Sequence, residues 1–266
     1  MDESCYHGIA ISLSYASCSR LPNRRLITSI LFDLGDTLIH LDKPTADVVK
    51  ARLQALNETF LTGGLDVGYS RLSEVYQAVH SELSQFSEQT GIETTTNRIL
   101  EEVLARLGIL GLRHWAMEDL VQNFFDPEIR SWILYNDTLT ILSSLRSQGF
   151  SLGIVSNARS HWAVIEIMRK LGIEGFFGTT VTSAKFGLRK PRAEIYLKAM
   201  QDLGSDTGSS VMVGNSLDTD VIGAKRLKTK VLHLEREIPN QRPVEPDATV
   251  RSLSDILEVI NKWKEL

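Results

Sequence analysis

The stretch Ile30-Leu31-Phe32-Asp33-Leu34-Gly35-Asp36-Thr37-Leu38 sets a pattern that the rest of the chain repeats. An apolar run from Ile27 to Leu31, short and partly β-branched, predicts a buried strand ending at Phe32-Asp33. A carboxylate and a glycine-containing turn then follow directly, so polar chemistry stands at the strand's carboxyl end.

Further along, the run Ser151 to Val155 ends in Ser156-Asn157, and Ser210 to Val213 ends in Gly214-Asn215. Shorter runs at Thr179–Ser183, Lys230–Leu234 and Ala248–Val250 complete the set of expected strands. Helical periodicity fills the intervals at Thr138–Gln148, His161–Leu171, Arg192–Leu203 and Asp218–Leu227. Strands alternating with helices of this length imply βαβ units and a mostly parallel sheet. Ligands of such sheets bind outside the carboxyl ends of the strands, which singles out Asp33, Ser156, Asn157 and Asn215.

One interval breaks the alternation. Residues 43–135 carry only helical patterns: Ala46–Phe60, Arg71–Ser87, Thr96–Leu107 and Met117–Phe125, separated by glycine-bearing turns. The expected organisation is therefore an α/β, Rossmann-like core of residues 26–42 and 136–266 with an inserted α-helical bundle, residues 43–135, as a cap. The cap would lie over the end of the first strand. Residues 1–25 differ in composition and are expected to be a disordered or loosely attached extension.

Composition excludes several classes. With 29 basic against 33 acidic residues and a net charge of −4, the chain lacks the basic excess that phosphate neutralisation of nucleic acid requires. The two cysteines, Cys5 and Cys18, both fall in the extension, which rules out a disulfide framework or cysteine metal cluster. No apolar run approaches the roughly 18 residues of a membrane span. A cytoplasmic enzyme or binding domain is the expectation, and nothing in the sequence specifies an oligomeric state.

Four separated motifs, in this order, resemble those of the haloacid dehalogenase superfamily, whose members are mostly phosphatases. They are Ile30 to Leu38; Gly153-Ile154-Val155-Ser156-Asn157; Ser183 through Gly187-Leu188-Arg189-Lys190-Pro191; and Val213-Gly214-Asn215-Ser216-Leu217-Asp218-Thr219-Asp220. The resemblance runs from Leu26 to the C-terminus, and the helical insert stands where that family carries its C1 cap.

The resemblance implies roles. Asp33 would be the nucleophile, forming an aspartyl-phosphate that divides one hard displacement into two easier ones. Thr37 and Ser156 would donate hydroxyl hydrogen bonds to the transferring group, and Asn157 would add to that substrate cradle. Lys190 would supply fixed positive charge; Lys185 and Arg189 are neighbours, and the Lys-Pro dipeptide favours Lys190. Asp33, the Gly35 carbonyl, Asn215 and Asp220 would hold Mg²⁺, with Asp218 read as a helix cap.

Two positions depart from the family pattern. Phosphatase members carry a second aspartate two residues after the nucleophile, for proton transfer, and here that residue is Gly35. Asp36, one residue later, either replaces it through a different turn of the loop or is a solvated carboxylate. Asn215 stands where an aspartate usually binds metal, so Mg²⁺ binding is expected to be weak. The leading expectation is a Mg²⁺-assisted phosphatase acting on a small phosphorylated metabolite. The alternatives are a metal-independent hydrolase similar to 2-haloacid dehalogenases, and a non-catalytic phosphate-binding protein. Tyr69, His80, His114 and Trp115 are cap positions that face either the cleft or the cap's own core. Trp132 and Tyr135 fall at the return to the core domain, as hinge or pocket residues. Arg159 contacts either substrate or solvent.

Overall fold

In a computed structural model, which describes residues 26–109, 114–236 and 244–265, the apolar run after Leu26 forms strand β1, Ser29–Phe32. The chain then forms a three-residue strand β2 (Ile39–Leu41) and four helices, α1 (Thr45–Thr62), α2 (Tyr69–Thr90), α3 (Thr96–Arg106) and α4 (His114–Ser131). It returns through β3 (Trp132–Leu134), α5 (Thr138–Ser147), β4 (Ser151–Ser156), α6 (His161–Lys170), β5 (Thr179–Thr182), α7 (Ser183–Phe186) and α8 (Ala193–Asp202). Last come β6 (Ser210–Gly214), α9 (Ile222–Arg226), β7 (Lys230–Leu234), β8 (Ala248–Val250) and α10 (Ile256–Glu265). The expected extension with its two cysteines, and the side chains of His114 and Trp115, lie outside the described residues.

Six strands form one sheet in the order β5-β4-β1-β6-β7-β8, every neighbouring pair parallel. The strands alternate their side chains between two faces, and each face has its own helical layer. Ile30, Phe32, Ile154 and Val213 pack with Ile141 and Leu142 of α5, Ile167 of α6 and Ile256 and Ile260 of α10. Leu31, Val155, Met212 and Val231 pack on the other side with Ile195, Tyr196 and Met200 of α8 and Ala224 of α9. A third apolar cluster belongs to α1–α4, built from Leu53, Leu56, Phe60, Leu72, Val79, Leu100, Val103 and Phe124.

The sequence patterns did not anticipate β2 and β3. They pair antiparallel with Ile39 opposite Leu134 and Leu41 opposite Trp132, so the chain enters and leaves the α1–α4 bundle through adjacent strands. Three-residue strands about ninety positions apart leave no local periodicity to read. Helix α4 also runs past its expected end at Phe125, continuing through Pro127. The carbonyl of Pro127 accepts a hydrogen bond from Ser131 Oγ at 2.7 Å, and Ile129 packs between two cores. Packing there outweighs the proline's lost donor. No helix of the described residues is long and apolar enough to cross a membrane.

Candidate active site

Three strand ends converge above the sheet. Asp33 follows β1 directly, and its N–H donates to the carbonyl of Val213 on β6 at 2.9 Å, continuing the ladder by one residue. The chain then coils tightly: the N–H groups of Thr37 and Leu38 donate to the Leu34 carbonyl at 3.4 and 2.9 Å. Asp36 occupies the left-handed region, with φ 56°, and its N–H donates to the Ile39 carbonyl at 2.7 Å. The turn aims the Thr37 hydroxyl back at the strand end, 3.1 Å from Asp33 Oδ2 and 3.2 Å from Asn215 Oδ1. One proton serves one of these acceptors at a time. Arg236, just after β7, braces the same turn: it stacks 3.6 Å over the Tyr135 ring and donates to the carbonyls of Asp36 and Thr37 at 3.3 and 2.9 Å.

Lys190 is the electrostatic centre. Only 3% exposed, it donates to Asp33 Oδ1 at 2.6 Å and to Asp220 Oδ1 at 2.7 Å. Burial works against its charge, but the attraction of Asp220 and Asp33 more than offsets this, and its pKa is raised. Asp220 is fully buried, and burial pushes its pKa up to about 6, with Asp33 adding to and Lys190 opposing the rise. Two carboxylates around one ammonium leave this end of the site net negative, which suits a cation in addition to Lys190.

Asp220 is aimed by the turn that carries it. Leu217–Val221 forms one π-helical turn, capped by Ser216, whose Oγ accepts from the Thr219 N–H at 3.3 Å. The expected helix cap, Asp218, is exposed, because the turn begins one residue earlier than the sequence pattern suggests. The Ser216 N–H donates to Asp220 Oδ2 at 3.1 Å. Gly214 makes the approach possible: a Cβ there would meet Asp220 Oδ2 at 2.2 Å, closer than any real contact.

Asn157, expected in a substrate cradle, lines the cleft and also holds the main chain of Lys190. Its Oδ1 accepts from the Lys190 N–H at 2.7 Å and its Nδ2 donates to the Lys190 carbonyl at 3.0 Å. Both polar atoms of its side chain grip the main chain that presents Lys190. Ser156, buried at the end of β4, lines the cleft with Asp33 and Lys190. Asp36 and Asn215 line it as well. Of the other lysine-motif cations, Arg189 pairs with buried Glu93 at 3.9 Å, away from this centre.

Gly35 lies under the indole of Trp132: a Cβ there would come within 3.4 Å of the ring carbon Cη2. The space that a side chain at position 35 would use is bordered by an aromatic ring from β3. Trp132 thus proves a pocket residue, whereas Tyr135 supports Arg236.

For a metal, the available donors are Asp33, Asp220, the Asn215 amide oxygen and the Gly35 carbonyl. All are oxygens, which fits a hard divalent cation. Among the described residues no group of three or more His, Cys, Asp or Glu side chains is arranged to hold an ion by itself. The asparagine at position 215 leaves two carboxylates among these four donors.

The cleft above these groups measures about 480 Å³. Its far wall comes from α1–α4: Arg52, Tyr76, His80, Phe125 and Glu128. Of the cap positions flagged in the sequence, His80 lines the cleft and Tyr69 packs on the α1–α4 core. Arg52 and Glu128 were not legible beforehand, since charged residues at helical spacing look like solvated faces. They form an ion pair at 2.6 Å with both side chains mostly buried.

Comparison with known proteins agrees with this architecture. The chain is 28% identical over 245 residues to a glyceraldehyde 3-phosphate phosphatase of Methanopyrus kandleri, spanning 89% of this chain and 98% of the relative. It is 29% identical over 233 residues to a phosphoglycolate phosphatase of Aquifex aeolicus, spanning 87% and 96%. Its fold matches the crystal structure of a 2-haloacid dehalogenase from Pseudomonas syringae pv. Tomato with a TM-score of 0.67 at 21% identity, over 90% of this chain and 100% of that one. The model of the haloacid dehalogenase-like hydrolases matches residues 27–228, and the chain belongs to that family.

Proposed function

We propose that this hydrolase cleaves small phosphomonoesters, with Asp33 as nucleophile. The observation that carries the reading is the buried Lys190 ammonium bridging Asp33 and Asp220 at 2.6 and 2.7 Å at the floor of the cleft. It orients one carboxylate oxygen and offsets the negative charge that builds on the phosphoryl group. The phosphatase names of the two relatives support the same substrate class.

In the first step an Asp33 oxygen attacks phosphorus, and the bond from phosphorus to the ester oxygen breaks. The alcohol leaves after taking up a proton. Water then attacks phosphorus, the bond to Asp33 breaks, and inorganic phosphate is released; the water's proton balances the one taken by the alcohol. Thr37 and Ser156 donate to phosphoryl oxygens. Mg²⁺, held by Asp33, Asp220, Asn215 and the Gly35 carbonyl, would neutralise phosphoryl charge and orient the group. Asp36 lines the cleft and is the carboxyl group nearest in sequence to the missing proton donor at position 35. Its exposure and left-handed backbone leave it at the solvent edge, so esters with good leaving groups should react fastest.

The test is hydrolysis of p-nitrophenyl phosphate and acetyl phosphate with and without Mg²⁺. Turnover abolished by Asp33→Asn is the expected result; turnover unchanged in that variant overturns the assignment. Metal-free halide release from 2-chloropropionate would point to dehalogenase chemistry instead, and phosphate binding without turnover of any ester to a binding protein.

A further inference from the structure

The cleft is electrically lopsided. At its floor Asp33 and Asp220 surround Lys190; at its far end stand Arg159, from the loop after β4, and Arg52, from α1. Arg52 already has its counter-ion, although its buried Nε has no hydrogen-bond partner. Its Nη1 lies 2.6 Å from Glu128 Oε2, and its guanidinium stacks 4.0 and 4.6 Å from the centres of Phe124 and Phe125.

Arg159 is different. Its Nη2 donates to Ser84 Oγ on α2 at 2.8 Å, which draws the guanidinium up against the bundle. Its Nη1 is buried and has no hydrogen-bond partner, and among the described residues Arg159 forms no ion pair. The nearby acid, Glu93, is committed elsewhere: it accepts from Ser183 Oγ at 2.6 Å and from the Thr94 N–H at 3.1 Å, and pairs with Arg189. A half-buried cation with one fully buried, orphaned donor is costly unless an anion completes it. The other polar groups at this end are Glu128, whose carboxylate is paired with Arg52, and the side chains of His80 and Tyr76. Burial first, and then Arg159 and Arg52, lower the pKa of His80; burial raises that of Tyr76. His80 and Tyr76 are therefore neutral near pH 7 and can donate hydrogen bonds. The wall offers donors and positive charge to whatever reaches it, within a volume that suits a small molecule.

We infer that Arg159 binds a second anionic group, a carboxylate or a second phosphate, at the non-reacting end of the phosphomonoester. The substrates are then small phosphoesters with two anionic ends, and Arg159 is their specificity determinant. This rests on the phosphatase reading and narrows it.

The experiment compares kcat/KM for matched esters: 2-phosphoglycolate and ethylene glycol bisphosphate against the neutral-ended 2-hydroxyethyl phosphate. The wild-type enzyme should favour at least one anionic-ended ester by about 10- to 100-fold, the range for one charge-assisted hydrogen bond. Which of the two is favoured separates carboxylate from phosphate. Arg159→Gln, which keeps a donor for Ser84 but removes the charge, should bring the ratio close to one, mainly through KM. Arg159→Lys should retain part of the preference. A wild-type ratio near one, or a preference that survives Arg159→Gln, overturns the inference while leaving the phosphatase reading intact. The wild-type ratio decides even where a variant does not fold. Turnover of no ester at all, p-nitrophenyl phosphate included, overturns both.

Discussion

The Asn157 side chain closes two hydrogen bonds, of 2.7 and 3.0 Å, on the main chain of Lys190, thirty-three residues away. One strand end thereby holds in place the cation that neutralises the carboxylate of another. Among the described residues the Lys190 ammonium meets only the carboxylates it serves, so its placement depends on this grip on the main chain. Asn157→Ala should lower kcat by about 10- to 100-fold with a smaller change in KM, and cost roughly 1–3 kcal/mol for the orphaned main-chain groups. Steady-state kinetics beside denaturant unfolding would show both; an unchanged kcat would mean that Lys190 is positioned without Asn157.

Gly214 and Asp220 form a second dependency. Because a Cβ at Gly214 would meet Asp220 Oδ2 at 2.2 Å, Gly214→Ala must displace the carboxylate from Lys190 and from the Ser216 N–H. Overpacking of this kind costs about 1–3 kcal/mol. Activity should fall at least tenfold even at saturating Mg²⁺, and a variant with full activity would show that Asp220 need not stand where it does.

Position 35 tests the missing proton donor. A Cβ is tolerated at 3.4 Å from the Trp132 ring, but the carboxylate of Gly35→Asp would have to share that space. Gly35→Asp alone should gain little against esters with poor leaving groups. Combined with Trp132→Leu it should gain clearly more, with a coupling of at least about 0.5 kcal/mol in transition-state free energy. Simple additivity in the double-mutant cycle would rule out steric control by Trp132.

Asn215→Asp adds a negative charge to the proposed Mg²⁺ donors. Titration of Mg²⁺ by calorimetry should give a dissociation constant at least about tenfold lower than wild type. An unchanged constant would place Asn215 outside the metal's shell.

His80 predicts a pH effect. Burial, and then Arg159 and Arg52, hold its pKa below the ordinary 6.5, so the unfolded chain binds this proton more readily than the folded one. The stability it contributes is present above pH 6.5 and is lost as pH falls through the folded value. Between about pH 7.5 and pH 5.5 the Tm of His80→Gln should drop less than that of wild type. Equal drops would show that folding does not depress the pKa of His80.

Much of this was determined by the sequence alone. Strand and helix periods, together with polar residues closing each apolar run, set the parallel sheet and put Asp33, Ser156, Asn157 and Asn215 at its carboxyl edge, because those signals are local. Which of these residues serve chemistry and which serve one another was not local. Asn157 meets Lys190, Trp132 meets Gly35, and Arg159 meets Ser84 across 33, 97 and 75 positions. Those encounters depend on sheet order and on how α1–α4 pack over the strand ends. The β2–β3 ribbon, the mostly buried Arg52–Glu128 pair and the orphaned Nη1 of Arg159 belong to the same class. Each is a balance of burial, charge and partner supply that only the folded chain brings together.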